Sequence, residues 1–516
     1  MGVIALRARQ AFLARERQDF REYKKLTDKQ LEQRMFALPV KPPIFYKLTH
    51  LQKVCFIIGA ETQRFCFWNS TGTGKTLLAI ALIRYFRRLG ILQHALILVP
   101  NRINKNEWYY ELQKHSPKSS SLILDGSTEG KRKALEESNA LFVFETYAGL
   151  FRMVCDKKPN KKGKNKLVPN EKKVNALAKH FQGFVCDESV GVGNHTALPF
   201  RICRKLSKTS QVVFAMTGTP FNRDPTLLWA QMYLIDHGQT LGETLGLFRA
   251  IFCNESENYF SGAPEYKFNK KQQSLLNDFI ANKSIAYPAD EGSLPECVEI
   301  QKYVSLPGDA GAYYERFRQE LVSAKGNFQE TKNAFLRLRQ ISSGFVGYQD
   351  DETGERSKFE FPDNPKLDML LSLLHEVYEN DKSIVFFDFT YSGERIYEEL
   401  KKAKIDSILL HGKTKDVDAA RNAFMQQPKK RVLLLQNRFG IGLNVQIARY
   451  NFFYESPVSA ILRKQCVGRF VRQHSLHKTV FQYDLLMKDT VDSQILKFHV
   501  EGGDLFQAII KGEVLI

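Results

Sequence analysis

Lys75 and Thr76 close the run Asn69-Ser-Thr-Gly-Thr-Gly-Lys-Thr76, which follows apolar Phe65-Cys-Phe-Trp68 and leads into the helical Leu77 to Phe86. Gly72 and Gly74 let backbone N–H groups curl round a phosphate, and the helix start adds its positive dipole end. Lys75 can reach the outer phosphates and the Thr76 hydroxyl can hold Mg²⁺. The pattern departs from the usual phosphate loop in having Asn69 where a glycine stands. A second acidic stretch, Gly183-Phe-Val-Cys-Asp-Glu188, puts two carboxylates at the end of a short buried strand. In a phosphate-loop enzyme Asp187 serves Mg²⁺ and Glu188 takes the proton of the attacking water. Far downstream, Gln465-Cys-Val-Gly-Arg-Phe-Val-Arg472 sets Arg469 and Arg472 at i and i+3, one helix face that could reach a phosphate.

These residues need strands that deliver them to one edge, and the chain supplies the pattern. Ala95-Leu-Ile-Leu-Val-Pro100, Leu141-Phe-Val-Phe-Glu-Thr-Tyr147 and Gln211-Val-Val-Phe-Ala-Met-Thr-Gly-Thr-Pro220 are further apolar runs ending in polar residues. Alternation with helices implies a parallel α/β sheet whose ligand sites lie at the strands' carboxyl ends. From residue 366 the alternation resumes: helix 366–375, strand 383–387, helix 393–402, strand 407–411, helix 416–425 and strand 431–435. The expected organisation is a charged helical extension (1–45), an ATP-binding α/β domain (46–235), a mainly helical insertion or linker (236–365) and a second α/β domain (366–516) without a phosphate loop.

The 516 residues carry 75 Lys+Arg against 56 Asp+Glu, a net charge of +19, which favours a polyanionic partner. The segment from Asp156 to Lys173 is lysine-dense, broken by Pro and Gly, and reads as a loop with a candidate nucleic-acid role. Asp350 to Glu355 reads as an exposed hairpin tip or linker. No apolar run reaches the ~18 residues of a membrane span, and no targeting signal stands out, so a cytoplasmic protein is expected. The 8 cysteines lack metal-ligand spacing and read as reduced core residues.

Together the stretches resemble the superfamily-two helicases, and within them the Swi/Snf-type DNA-translocating ATPases, in compact phage- or bacterial-like form. The motifs that carry the resemblance run in the family's order: "NSTGTGKT", "VPNRINKNEWYYEL", "DESVGVGN", "TGTPFNRDPTLLW", "LRLRQI", "LLHGKTKDVDAARNAF", "FGIGLNVQ" and "QCVGRFVRQ". The resemblance implies two tandem RecA-like domains, ATP and Mg²⁺ as cofactors, and double-stranded or branched DNA as partner; it identifies no protein partner. It implies that Gln52 contacts adenine, that Gly72, Thr73, Gly74, Lys75 and Thr76 hold the phosphates, that Gly442 lies near the cleft, and that Arg469 and Arg472 are arginine fingers. Asn101, Arg102, Thr146, Tyr147, His411 and Lys413 would face the nucleic-acid backbone. Val190 and Gly193 depart from the family's histidine and lysine. Three functions stay open on this reading: a duplex-DNA translocase, a strand-separating or branch-migrating helicase, and an ATP-switched scaffold for nucleic acid or RNA polymerase.

Overall fold

The computed structural model describes residues 20–42, 48–70, 72–159, 165–218, 220, 225–257, 264–287, 294–324, 327–349, 356–377, 379, 381–414, 416–439, 443, 445–472 and 475–500. Gly442 and Asn444, Lys161, Lys162 and Lys164, and the 350–355 tip lie outside the described residues. The chain falls into two compact units, 1–256 with 265–290, and 257–264 with 291–516.

The first unit is built on a seven-stranded, all-parallel sheet. Its strands are β1 (Arg64–Asn69), β2 (Ala95–Val99), β3 (Ser121–Ile123), β4 (Phe142–Thr146), β5 (Gly183–Asp187), β6 (Val212–Met216) and β7 (Ser284–Tyr287), in the spatial order β7-β1-β6-β5-β2-β4-β3. The runs are apolar throughout because helices cover both faces. Phe65 and Phe67 enter one core with Ile97 and Phe214, while Cys66 and Trp68 enter the other with Leu96 and Leu98. The N-terminal extension is helical where described, at Phe20–Lys25 and Asp28–Ala37. It packs onto this unit: the Phe20 ring meets Phe65 edge-on at 5.2 Å, and Leu31 is fully buried.

The second unit holds a six-stranded parallel sheet of β8 (Glu296–Val304), β9 (Ser383–Phe387), β10 (Ser407–Leu410), β11 (Val432–Gln436), β12 (Tyr450–Phe453) and β13 (Thr479–Met487). The spatial order is β8-β13-β12-β9-β11-β10. Its helices Pro365–Val377, Thr390–Lys402 and Val417–Gln426 fall where the alternation predicts them.

Residues 236–365, expected as an insertion or linker, are divided between the units. The helices are there, at Leu245–Phe252, Gln273–Ile280, Gly308–Ser323 and Phe328–Ile341. The segment also supplies β7 beside β1 and β8 beside β13, so each sheet takes an edge strand from it. Phe345–Gln349 and Arg356–Glu360 pair antiparallel. The described parts of the Asp156 to Lys173 stretch are not a loop. Cys155–Pro159 pairs antiparallel with Asn165–Pro169, and Glu171–His180 is a helix capped by Asn170. Two short strands that share a backbone ladder need no apolar periodicity, which is why composition alone reads as loop. Among the described residues no helix is long and apolar enough to cross a membrane.

Candidate functional site

The loop after β1 has the backbone a phosphate cradle needs. Gly72 and Gly74 have φ of 83° and 80°, left-handed values that a side chain would strain, and Gly74 opens the helix Lys75–Arg88. Lys75 folds back over the loop, its Nζ donating to Asn69 O at 2.7 Å and Ser70 O at 3.1 Å. Thr73 Oγ1 donates to Ser70 O at 2.8 Å. Asn69 is buried and donates to Cys55 Sγ at 3.4 Å, which anchors the position where the usual pattern has glycine. Thr76 sits half-buried in the helix's first turn.

Gln52 caps the helix His50–Thr62 in a reciprocal box with Thr49. Its Oε1 accepts from Thr49 N at 3.1 Å and its Nε2 donates to Thr73 O at 3.4 Å. A Cβ at Gly74 would meet only the Gln52 amide, the movable end of a flexible side chain, so it is the positive φ that requires glycine there.

The acids stand at the end of β5, separated from β1 by β6. Asp187 Oδ2 accepts from Trp108 Nε1 at 2.8 Å, and Asp187 O accepts from the Tyr147 hydroxyl at 2.8 Å. Burial first, then the neighbouring Glu188 charge, raises the Asp187 carboxyl to about 6, against the pull of Trp108 and of Lys75. Glu188 takes a left-handed backbone, φ 49°, and its Oε2 accepts from Thr217 Oγ1 at 2.8 Å. Ser189 Oγ donates to Gln231 Oε1 at 2.6 Å, and Gln231 Nε2 donates in turn to Leu227 O at 3.0 Å and to Pro220 O. The segments after β5 and β6 are thus tied together by two separate bridges. Gly193 has no room for the family's lysine: a Cβ there would strike Leu227, 3.0 Å from its Cα, and lie 3.1 Å from Val190 O.

A phosphate with its cation fits this set. The cradle offers N–H groups and an amine, the acids offer a buried carboxylate held above its ordinary range by burial and by Glu188, and Thr76 with Asp187 could hold Mg²⁺. Among the described residues no group of three or more His, Cys, Asp or Glu could hold a metal without such outside oxygens.

Other expected residues separate into two groups. Asn101, two residues past β2, and Thr146, the last residue of the adjacent β4, cap the helices that follow, accepting from Asn104 N and Gly149 N at 3.0 Å each. Arg102 is exposed beside them. His411 and the exposed Lys413 follow β10 in the second unit. Tyr147 does not face outward as expected; it is buried, with its ring in the core and its hydroxyl on Asp187 O. Arg469 and Arg472 do not share a helix face. The helix Ala460–Val467 stops at Gly468, and the turn beyond it inserts fully buried Phe470 against Phe386, leaving Arg469 only 7% exposed.

Behind Thr146 lies a buried ion network that sequence reading missed. Glu145, fully buried, meets Lys131 at 2.5 Å and Lys105 at 3.8 Å and accepts from Thr146 N at 2.7 Å. The Ser189–Gln231 link was equally unreadable, since nothing local connects residues 42 apart.

The family model described as the SNF2-related domain matches residues 51–346. The chain belongs to the SNF2-related family. A helicase conserved C-terminal domain matches residues 365–474, so this SNF2-related chain carries both halves of a helicase-type core. It is 22% identical over 461 residues to an uncharacterized ATP-dependent helicase of Mycoplasma genitalium, covering 86% of the chain and 40% of that relative. It is also 22% identical to a putative protein of Acyrthosiphon pisum secondary endosymbiont phage 1, covering 85% of the chain and 92% of the relative. An uncharacterized ATP-dependent helicase of Bacillus subtilis is 22% identical, with 92% and 80% covered. The chain therefore spans less than half of the Mycoplasma relative's length. Among solved structures, the Sulfolobus solfataricus SWI2/SNF2 ATPase core in complex with dsDNA aligns at 20% identity and a TM-score of 0.40, over 92% of this chain and 95% of that one.

Proposed function

We propose that this SNF2-related chain hydrolyses ATP and uses it to move along duplex DNA. The observation that carries the reading is the juxtaposition at one sheet edge of the glycine cradle, Lys75, and the Asp187–Glu188 pair braced by Thr217. Bound MgATP supplies the transferable phosphoryl group and the charge that offsets its oxygens. Lys75 leaves its two loop carbonyls to meet phosphate, and Gly72 to Thr76 present backbone N–H groups. Asp187 with Thr76 holds the cation side of the site. Glu188, oriented by Thr217, accepts the proton of the attacking water. Gln52 reads adenine by exchanging its long 3.4 Å bond to Thr73 for the base. Arg469 and Arg472 keep the arginine-finger role that the resemblance implies. Asn101, Arg102 and Thr146, at two neighbouring helix N-termini, support DNA phosphates, with His411 and Lys413 in that role on the second unit.

ATP turnover measured without polymer, with duplex DNA, with single-stranded DNA and with RNA tests the reading. Duplex DNA is expected to stimulate most. Stimulation by single strands alone would favour strand separation, and no response to any polymer would favour the ATP-switched scaffold.

A further inference from the structure

The ribbon formed by Cys155–Pro159 and Asn165–Pro169 carries an unfavourable pair. Lys158 lies directly opposite Lys166, and both are exposed. Opposed residues of antiparallel strands point to the same face, and like charges placed there repel. The opposite face carries Leu167, which packs against the first unit's core, so the two lysines turn away from the protein. The base of the ribbon is pinned: Asp156 accepts from Asn170 Nδ2 at 2.7 Å and Lys173 Nζ at 2.6 Å, and it also feels the Lys158 charge. Lys157, opposite Leu167 on the other face, and Lys172 in the helix that follows are also exposed. A ribbon pinned at its base, with two exposed lysines opposed near its outer end and one carboxylate, Asp156, on the same face, is suited to a polyanion.

We propose that this ribbon is a DNA-backbone contact, with Lys158 and Lys166 neutralising phosphates of duplex DNA outside the nucleotide site. The major groove of B-form DNA admits a two-stranded ribbon, whereas the deep, narrow groove of A-form RNA does not. The inference rests on the duplex-DNA reading above.

The test is the salt dependence of binding to a short duplex of arbitrary sequence, measured by fluorescence anisotropy on the full chain. In Lys158→Ser/Lys166→Ser the log–log salt slope should become shallower by roughly 0.9 per lost phosphate contact, about 2 for the pair. The DNA concentration for half-maximal ATPase should rise while turnover at saturating DNA stays at the wild-type value. Lys158→Arg/Lys166→Arg should keep the wild-type slope. Lys158→Glu separates folding from binding: it makes the cross-strand pair attractive, so the melting temperature should hold or rise while DNA affinity falls. An unchanged slope in the serine variant, with wild-type DNA binding intact, overturns the ribbon contact alone. Absence of duplex binding by the wild type overturns it together with the reading it rests on. Loss of binding confined to duplex RNA overturns it in favour of an RNA surface.

Discussion

The Trp108 indole N–H points at Asp187, 2.8 Å from Oδ2, linking the helix Arg102–His115 to the end of β5. It is the side-chain hydrogen bond that holds down a carboxyl otherwise raised by burial and by Glu188. Partners that orient a metal-side carboxylate are typically worth about 10–100-fold in metal affinity or activity. Trp108→Phe keeps the apolar bulk and deletes only the donor. We expect normal folding, a higher Mg²⁺ requirement for ATP turnover, and a rate loss within that range. An unaltered Mg²⁺ titration would make Trp108 a packing residue only.

Glu188 and Thr217 form the second pairing at the acid end. Glu188→Gln should leave ATP binding nearly intact and lower turnover by roughly 10²–10⁴-fold, because the proton acceptor is lost and little else changes. Thr217→Val should reproduce part of that loss, since Glu188 keeps its charge but loses the hydroxyl that aims it. Equilibrium nucleotide binding alongside single-turnover hydrolysis distinguishes the cases. Weakened binding with an unchanged chemical step would remove Glu188 from the role of base.

Gly193 carries a steric prediction. Its φ is ordinary, −67°, so the glycine is explained by the Leu227 side chain and backbone that occupy the space a Cβ would need. Gly193→Lys, which restores the family's residue, should overpack the site and cost about 1–3 kcal/mol. Leu227→Ala in the same chain should recover the part of that loss due to the side chain, while the contacts to Leu227 Cα and Val190 O remain. Thermal melting of the single and double variants decides the point; a fully stable Gly193→Lys would mean the helix Pro225–Asp236 yields freely there.

How much of this was legible beforehand depended on whether a residue's fate is settled locally. β2, β5, β9 and β11 were readable because strands buried on both faces are uninterrupted apolar runs. β8 was not: its exposure alternates along its length, and its partner β13 comes from the far end of the chain. Lys75, Asp187 and Glu188 converge as their spacing and strand context suggested. Tyr147 was misplaced because its position just after Thr146 marks it as a strand-end residue, whereas helix phase turns its ring inward to Asp187. The i, i+3 spacing of Arg469 and Arg472 predicts one helix face, but Gly468 ends the helix first, and burial of Phe470 then sets where Arg469 goes. Contacts made across tens of residues, such as Ser189 to Gln231, leave no local trace.

His499 supplies a pH prediction in the second unit. Its Nε2 lies 3.1 Å from Val458 O in the helix Val491–Val500. Burial first, then the Arg463 charge, lowers its pKa from 6.5 to about 4, outweighing the Val458 and Pro457 carbonyls and Asp484, which pull it up. The folded chain therefore binds fewer protons than the unfolded chain between those two values. Stability is complete above the unfolded pKa and is lost as pH falls from 6.5 toward 4. The loss amounts to roughly 3 kcal/mol at most. All three tryptophans lie in the first unit, so hydrogen exchange of the helix Val491–Val500 is the appropriate readout. Its protection should fall between about pH 7 and about pH 5 in the wild type and change less in His499→Gln, whose amide cannot take up the proton. Equal pH dependence in both proteins would assign the acid sensitivity of this unit to other groups.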